Sequence, residues 1–216
     1  MSEAYAPHEF QYASARHQSG TALAGMWLFL ATEMLFFGGL FLAWIFARYQ
    51  HLAGFDAGAR ETELWIGSLN TVILLTSSFV YACGVAYARA GDSRRLIWCC
   101  AAAIGLGLVF LGLKFGLEWH DDLDKHLFPA DPAFRIGGAE GEGARLFFVF
   151  YFLGTALHGV HLTGGIVLVA MIAWRARRGD FSPFYNTPVE VVGLYWSFVD
   201  MIWVFLYPLI YLIGRT

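Results

Sequence analysis

The sequence predicts an all-α fold, an integral membrane bundle of five transmembrane helices forming a single membrane domain over residues 1–216. Three observations carry that expectation. Of the 216 residues, 58% are hydrophobic and 14% charged, against roughly 45–50% and about 25% in an average soluble domain. Five segments hold enough apolar residues to cross ~30 Å of hydrocarbon, which takes about 20 in a helix. Period-two alternation is missing from them, so a barrel is excluded, and an open sheet cannot satisfy its backbone in lipid. The formal net charge of −3, with no basic run, gives no support for a nucleic-acid partner.

The polar stretch "MSEAYAPHEFQYASARHQSG" at residues 1–20 lacks the apolar core of a cleaved signal and reads as an extramembrane tail. The first span, residues 21–49, contains "WLFLATEMLFFGGLFLAW" with Glu33 in its middle. The second, 63–88, carries Asn70, Thr71, Ser77, Ser78 and Tyr81. The third, 95–117, has Gly105, Gly107, Gly112 and Gly116, and the Gly112/Gly116 spacing predicts close helix packing. Lys114 is expected to pair with Glu118 at i,i+4 while snorkelling to the outer interface. The long loop 118–145 is rich in Gly, Asp and Glu and reads as an outer, extramembrane segment suited to covering part of a partner. Its His120, His126, Asp121, Asp122 and Asp124 offer ligands for a cation, but a solvated loop is the simpler reading.

The fourth span, 146–174, places Gly154, His158, His161 and Gly165 at intervals of 4, 3 and 4, on one helix face. The fifth, 189–213, places Glu190, Gly193, Ser197 and Asp200 at 3, 4 and 3, with Tyr207 further along. Trp and Tyr residues near the predicted ends, such as Trp27, Trp44, Tyr49, Trp98 and Trp174, fit an interfacial belt. Cys83, Cys99 and Cys100 lie in apolar runs, and their odd number argues against a disulfide framework. The short connections hold Arg89, Arg94, Arg95, Arg175, Arg177 and Arg178 on the N-terminal side. Basic short loops mark the cytoplasmic face, so the N-terminus is expected inside and the C-terminus outside.

A charge at mid-membrane costs about 2.5–3.5 kcal/mol on insertion scales. Glu33 has only Phe29, Leu30, Phe36 and Phe37 three and four positions away, so its partner must come from another helix, water or lipid. The His158/His161 face is the candidate surface. Two readings stay open for Glu33, His158, His161, Glu190 and Asp200: inter-helix polar contacts that hold the bundle, or a lipid-, water- or proton-handling role. A metal site at the His pair has less behind it, because no other intramembrane His is available and two imidazoles on one helix face cannot clamp opposite sides of one iron. No catalytic constellation and no metal-ligand set is expected in this chain.

The run around Glu33, together with "GSLNTVILLTSS", "FFVFYFLGTALHGVHLTGGIVL" and "GLYWSFVDMIWVFLYPLIY", resembles subunit III of the haem–copper respiratory oxidases. The resemblance covers residues 21–214 and includes His158-Gly159-Val160-His161, Tyr195, Trp196, Phe198, Val199, Asp200, Trp203 and Tyr207. The two helices that precede the Glu-bearing helix in seven-helix members are absent, as in the shorter five-helix bacterial form. The resemblance implies a non-catalytic subunit in a bacterial cytoplasmic (inner) membrane. It implies haem and copper in partner subunits I and II rather than in this chain, and a small subunit IV as a further partner. It also implies bound phospholipid, support of proton uptake and oxygen access, and protection of subunit I during turnover. Cytochrome c or quinol would act on the partner subunits, with cytochrome c oxidase preferred. Quinol oxidase and an accessory protein of nitric oxide reduction are the alternatives within the family. From another class, a free-standing proton-coupled transporter would use Glu33, Asp200 and His158 as a relay.

Overall fold

The computed structural model describes residues 11–215, all helix, turn and loop apart from one isolated bridge between Ser182 and Tyr185. Of the tail expected over residues 1–20, residues 1–10 lie outside the described residues, and from Ala15 onward the chain is already in the first helix rather than a loose tail. Seven α-helices are described: α1 (Ala15–Gln50), α2 (Leu52–Glu61), α3 (Leu64–Arg89), α4 (Ser93–Leu111), α5 (Trp119–Asp124), α6 (Gly141–Arg177) and α7 (Thr187–Tyr207). Five helical stretches are long and apolar enough to cross a membrane, namely α1, α3, α4 with its continuation through α5, α6, and α7 with its continuation to Leu212.

The helix starts follow local chemistry. Ser14 caps α1 by accepting from His17 N at 3.1 Å, and Asp92 caps α4 by accepting from Arg95 N at 2.9 Å. Asn186 precedes Thr187-Pro188, so α7 opens with Pro in its first turn, where no backbone hydrogen is missed. The tight turn between α3 and α4 uses Gly91 at φ +79, a conformation that favours glycine.

Helices α3, α4, α6 and α7 form a ring, each packed on the next, and α1 lies outside it against α7 and α6. The ring explains why α7 is the most buried span while α1 keeps most of its apolar surface. Along α1, Leu30, Phe37 and Trp44 are buried, Phe37 against His161 of α6 and Trp44 against Phe55 of α2, whereas Leu28, Leu35 and Leu42 are exposed. The α3–α7 seam is laced by polar bonds. Ser68 and Tyr207 hydroxyls meet at 2.8 Å, Trp203 Nε1 donates to Thr71 at 3.0 Å, and Trp196 Nε1 donates to Ser77 at 3.2 Å. Ser77 in turn donates to the Ala103 carbonyl of α4, and Tyr81 to the Val189 carbonyl. Such bonds average about 0.6 kcal/mol each in a membrane protein, so their number and direction fix the seam more than any one does.

Four sequence expectations need correction. The connection 50–62 is not a plain loop: α2 buries Gly54, Phe55, Gly58 and Ala59 against α6. The loop 118–145 begins as helix, because α4 runs on through a π-helical segment, Gly112–Glu118, into α5. Its remainder is tied to its own chain through Arg135–Glu61, Lys125–Glu63 and the fully buried Leu127. Gly112 and Gly116 are not a packing pair, since a Cβ at either would meet nothing within 4 Å. The close approach is made instead by Gly54 and Gly143, where a Cβ on Gly54 would lie 2.6 Å from the Gly143 Cα. Lys114 does not snorkel; it is fully buried beside Glu118 at 2.9 Å. The π turn rotates it into the ring, where Tyr side chains receive its ammonium hydrogens.

Candidate functional site

The membrane-embedded carboxylate of α1 finds its partner on α6. Glu33 Oε2 and His161 Nε2 are 3.1 Å apart, and each side chain is 19% exposed. The other ring nitrogen of His161, Nδ1, lies 2.7 Å from the Leu157 carbonyl. A carbonyl only accepts, so Nδ1 carries a hydrogen. A neutral His161 then has a bare Nε2, and its contact with Glu33 requires a proton on the Oε2–Nε2 axis. That proton makes the pair either carboxylic acid with imidazole or carboxylate with imidazolium. Both forms sum to zero charge, which is what a site bordered by apolar surface demands.

Three helices hold this pair. Phe37 of α1, almost fully buried, presents an edge to the His161 ring at 5.1 Å. Tyr195 of α7 donates to the His161 carbonyl at 2.9 Å. Thr32, next to Glu33 in the chain, donates to the Phe29 carbonyl. The arrangement can hold a proton between two helices.

The structure separates the remaining sequence candidates. His158 does not join Glu33. Three residues along a helix leave a rotation of about 60°, and this carries His158 into the ring, between Phe110 at 5.3 Å and Trp203 at 5.1 Å. Both its nitrogens are buried without a hydrogen-bond partner. Asp200 is also inside the ring; the Ser78 hydroxyl is its polar neighbour, but neither carboxylate oxygen reaches full hydrogen-bonding geometry. Glu190 stands at the Arg-rich end, where it accepts from Arg89 Nε at 2.7 Å and ties α7 to α3. No group of three or more His, Cys, Asp or Glu side chains that could hold a metal ion occurs among the described residues. In the outer segment His120 meets Asp124, His126 meets Asp131, and Lys125 bridges Asp121 and Glu63, so these side chains pair off rather than converge.

Sequence reasoning missed one cluster. Lys114, Glu118 and Asp122 follow one another at intervals of four, and all three are fully buried with Tyr151 of α6 and Tyr211 of the C-terminal π segment Pro208–Leu212. The signal was present in the Lys–Glu–Asp spacing, but the apolar run ended at Leu117 and hid the third member.

Five spanning helices with apolar outer faces define an integral membrane protein whose polar chemistry lies between helices. The family cytochrome c oxidase subunit III matches residues 11–215. The chain is similar to cytochrome c oxidase subunit 3 of Thermostichus vulcanus, 34% identical over 203 residues covering 88% of this chain and 87% of the relative. It is also similar to that of Synechocystis sp., 32% identical with 88% and 74% covered. A probable quinol oxidase subunit 3 of Staphylococcus aureus is 29% identical with 94% of each chain covered. The chain belongs to the cytochrome c oxidase subunit III family of the haem–copper oxidases.

Proposed function

We propose that this chain is a non-catalytic subunit III of an oxygen-reducing cytochrome c oxidase, and that it stabilises subunit I, binds phospholipid and supports proton uptake and oxygen access. Its termini then lie as the short Arg-bearing turns suggest, N-terminus cytoplasmic and C-terminus outside, in a bacterial inner membrane. Haem and copper belong to subunits I and II in this reading, and a small subunit IV is a further neighbour. The observation that carries it is the one-proton Glu33–His161 pair, set between a helix with a largely exposed apolar face and the ring. A neutral pair can accept a proton on one member and release one from the other without leaving net charge in lipid, and an exposed apolar helix face beside it suits acyl chains or a neighbouring subunit.

The test is turnover of the assembled oxidase with Glu33→Gln and His161→Asn. The expected result is an initial rate near the parent's with a several-fold shorter catalytic lifetime. Unchanged rate, lifetime and assembly in both variants would remove the special role of the pair. Oxidation of reduced cytochrome c by the purified complex supports the preferred donor; activity with quinol alone assigns the complex to the quinol oxidases.

A further inference from the structure

The buried Lys114 cluster is one hydrogen short. The Tyr151 phenolic oxygen lies 2.5 Å from Asp122 Oδ2 and 3.0 Å from Glu118 Oε1, and it accepts from Lys114 Nζ at 3.0 Å. Tyr211 spends its single hydrogen on Glu118 Oε1 at 2.5 Å and accepts from Lys114 at 2.7 Å. The ammonium also forms an ion pair with Glu118 Oε1 at 2.9 Å. Tyr151 therefore has one hydrogen for two carboxyl oxygens. If both carboxyls were ionised, one of those two contacts would set lone pair against lone pair. Glu118 Oε2 and Asp122 Oδ1 are buried and have no donor at all. Two carboxylates against one ammonium would also leave an uncompensated negative charge where none of the three side chains reaches the surface. Burial of an unpaired charge is strongly unfavourable.

We propose that Asp122, Tyr151 and Glu118 hold one exchangeable proton in common, so that this cluster is a neutral, buried proton site distinct from the Glu33–His161 pair. With the proton on Asp122, its hydroxyl donates to the Tyr151 oxygen, Tyr151 donates to Glu118 Oε1, and every contact becomes a hydrogen bond. Transfer needs no other reactant. The Asp122 O–H bond breaks as a Tyr151 O–H bond forms, and the original phenol hydrogen passes to Glu118 Oε1. Tyr151 ends as it began, Asp122 becomes the carboxylate and Glu118 the acid.

The charged and titratable groups facing the site come from every element around it. Lys114 lies on the π segment, and Lys125 lies just beyond α5 within electrostatic reach of Asp122. Tyr211 and its neighbour Tyr207 approach from the C-terminal end, and His158 lies on the inner side of Lys114. Lys125 is partly exposed and bonded to Asp121 and Glu63.

Infrared spectroscopy of the assembled oxidase tests this without reference to turnover. Asp122→Asn replaces a neutral acid by a neutral side chain of the same shape. The expected result is loss of one neutral-carboxyl C=O band, with the subunit retained at the parent's thermal stability. Tyr151→Phe should shift that band, since it removes the acceptor of the acid hydrogen. Spectra unchanged in both Asp122→Asn and Glu118→Gln would overturn the proposal. Failure of Asp122→Asn to incorporate would overturn it too, because a site that is already neutral should accept the amide.

Discussion

Asp131 accepts from His126 Nδ1 at 2.8 Å and from the Ala133 backbone N at 2.8 Å, closing the turn that follows α5. The His126 hydrogen bond, then the backbone one, hold its carboxyl below the ordinary aspartate range. The depressed value sets the sign. The stabilisation is complete above the unfolded value of about 3.9 and is lost as pH falls through the lower folded value. Pepsin cleavage of the 126–135 turn should therefore be slow above about pH 3.9 and accelerate progressively as pH falls below it toward the folded value, whereas Asp131→Asn should be cut rapidly at every pH where pepsin acts. At this same scale, Glu33 announced itself as an unpartnered carboxylate in an apolar run, and His161 was among its named candidate partners. The choice of His161 over His158 was not legible, because a shared helix face still spans about 60° and only packing decides which edge meets α1. Nor was the burial of Lys114, which depends on a π turn and on Tyr151 and Tyr211 arriving from distant sequence.

Among elements, α2 shows where periodicity stops being informative. Ten residues with one large buried apolar side chain, Phe55, carry too little pattern to stand out from a connection. What makes the element is contact: the backbones of Gly54 and Gly143 touch, and Phe55 packs edge-on to Trp44 and Phe147. The five spans, by contrast, were legible in number because each must satisfy the bilayer on its own. Gly54→Ala should cost about 1–3 kcal/mol, the usual price of overpacking, since its Cβ would meet backbone rather than a movable side chain. Gly112→Ala, in open space, should be near neutral. Thermal unfolding of the purified complex, followed by loss of this subunit, distinguishes the two.

For the molecule as a whole, the division between a four-helix ring and an outlying α1 has a mechanical consequence. The ring closes on itself through helix seams rich in directed bonds, whereas the direct hydrogen bond found between the side chains of α1 and α6 is Glu33 with His161. Near its two ends α1 is also tied by Ser19 with Thr187 of α7 at 2.9 Å and by Arg48 with Asp56 of α2 at 2.6 Å, and between them the buried side chains of its seam are the apolar Leu30, Phe37 and Trp44. Lipid tails are as apolar as these side chains, so burial alone gives little drive for α1 to stay docked, and shape must supply the rest. Phe37 is the one side chain that both fills the seam and touches the His161 ring. Phe37→Ala should therefore release α1 from the ring while leaving α3, α4, α6 and α7 assembled, whereas Leu35→Ala, on the exposed face, should not. Spin labels on α1 and α6 read this directly as a distance distribution, which should broaden in the first variant and stay narrow in the second. Equal widths would mean that α1 is held by its neighbours in the complex rather than by its own seam.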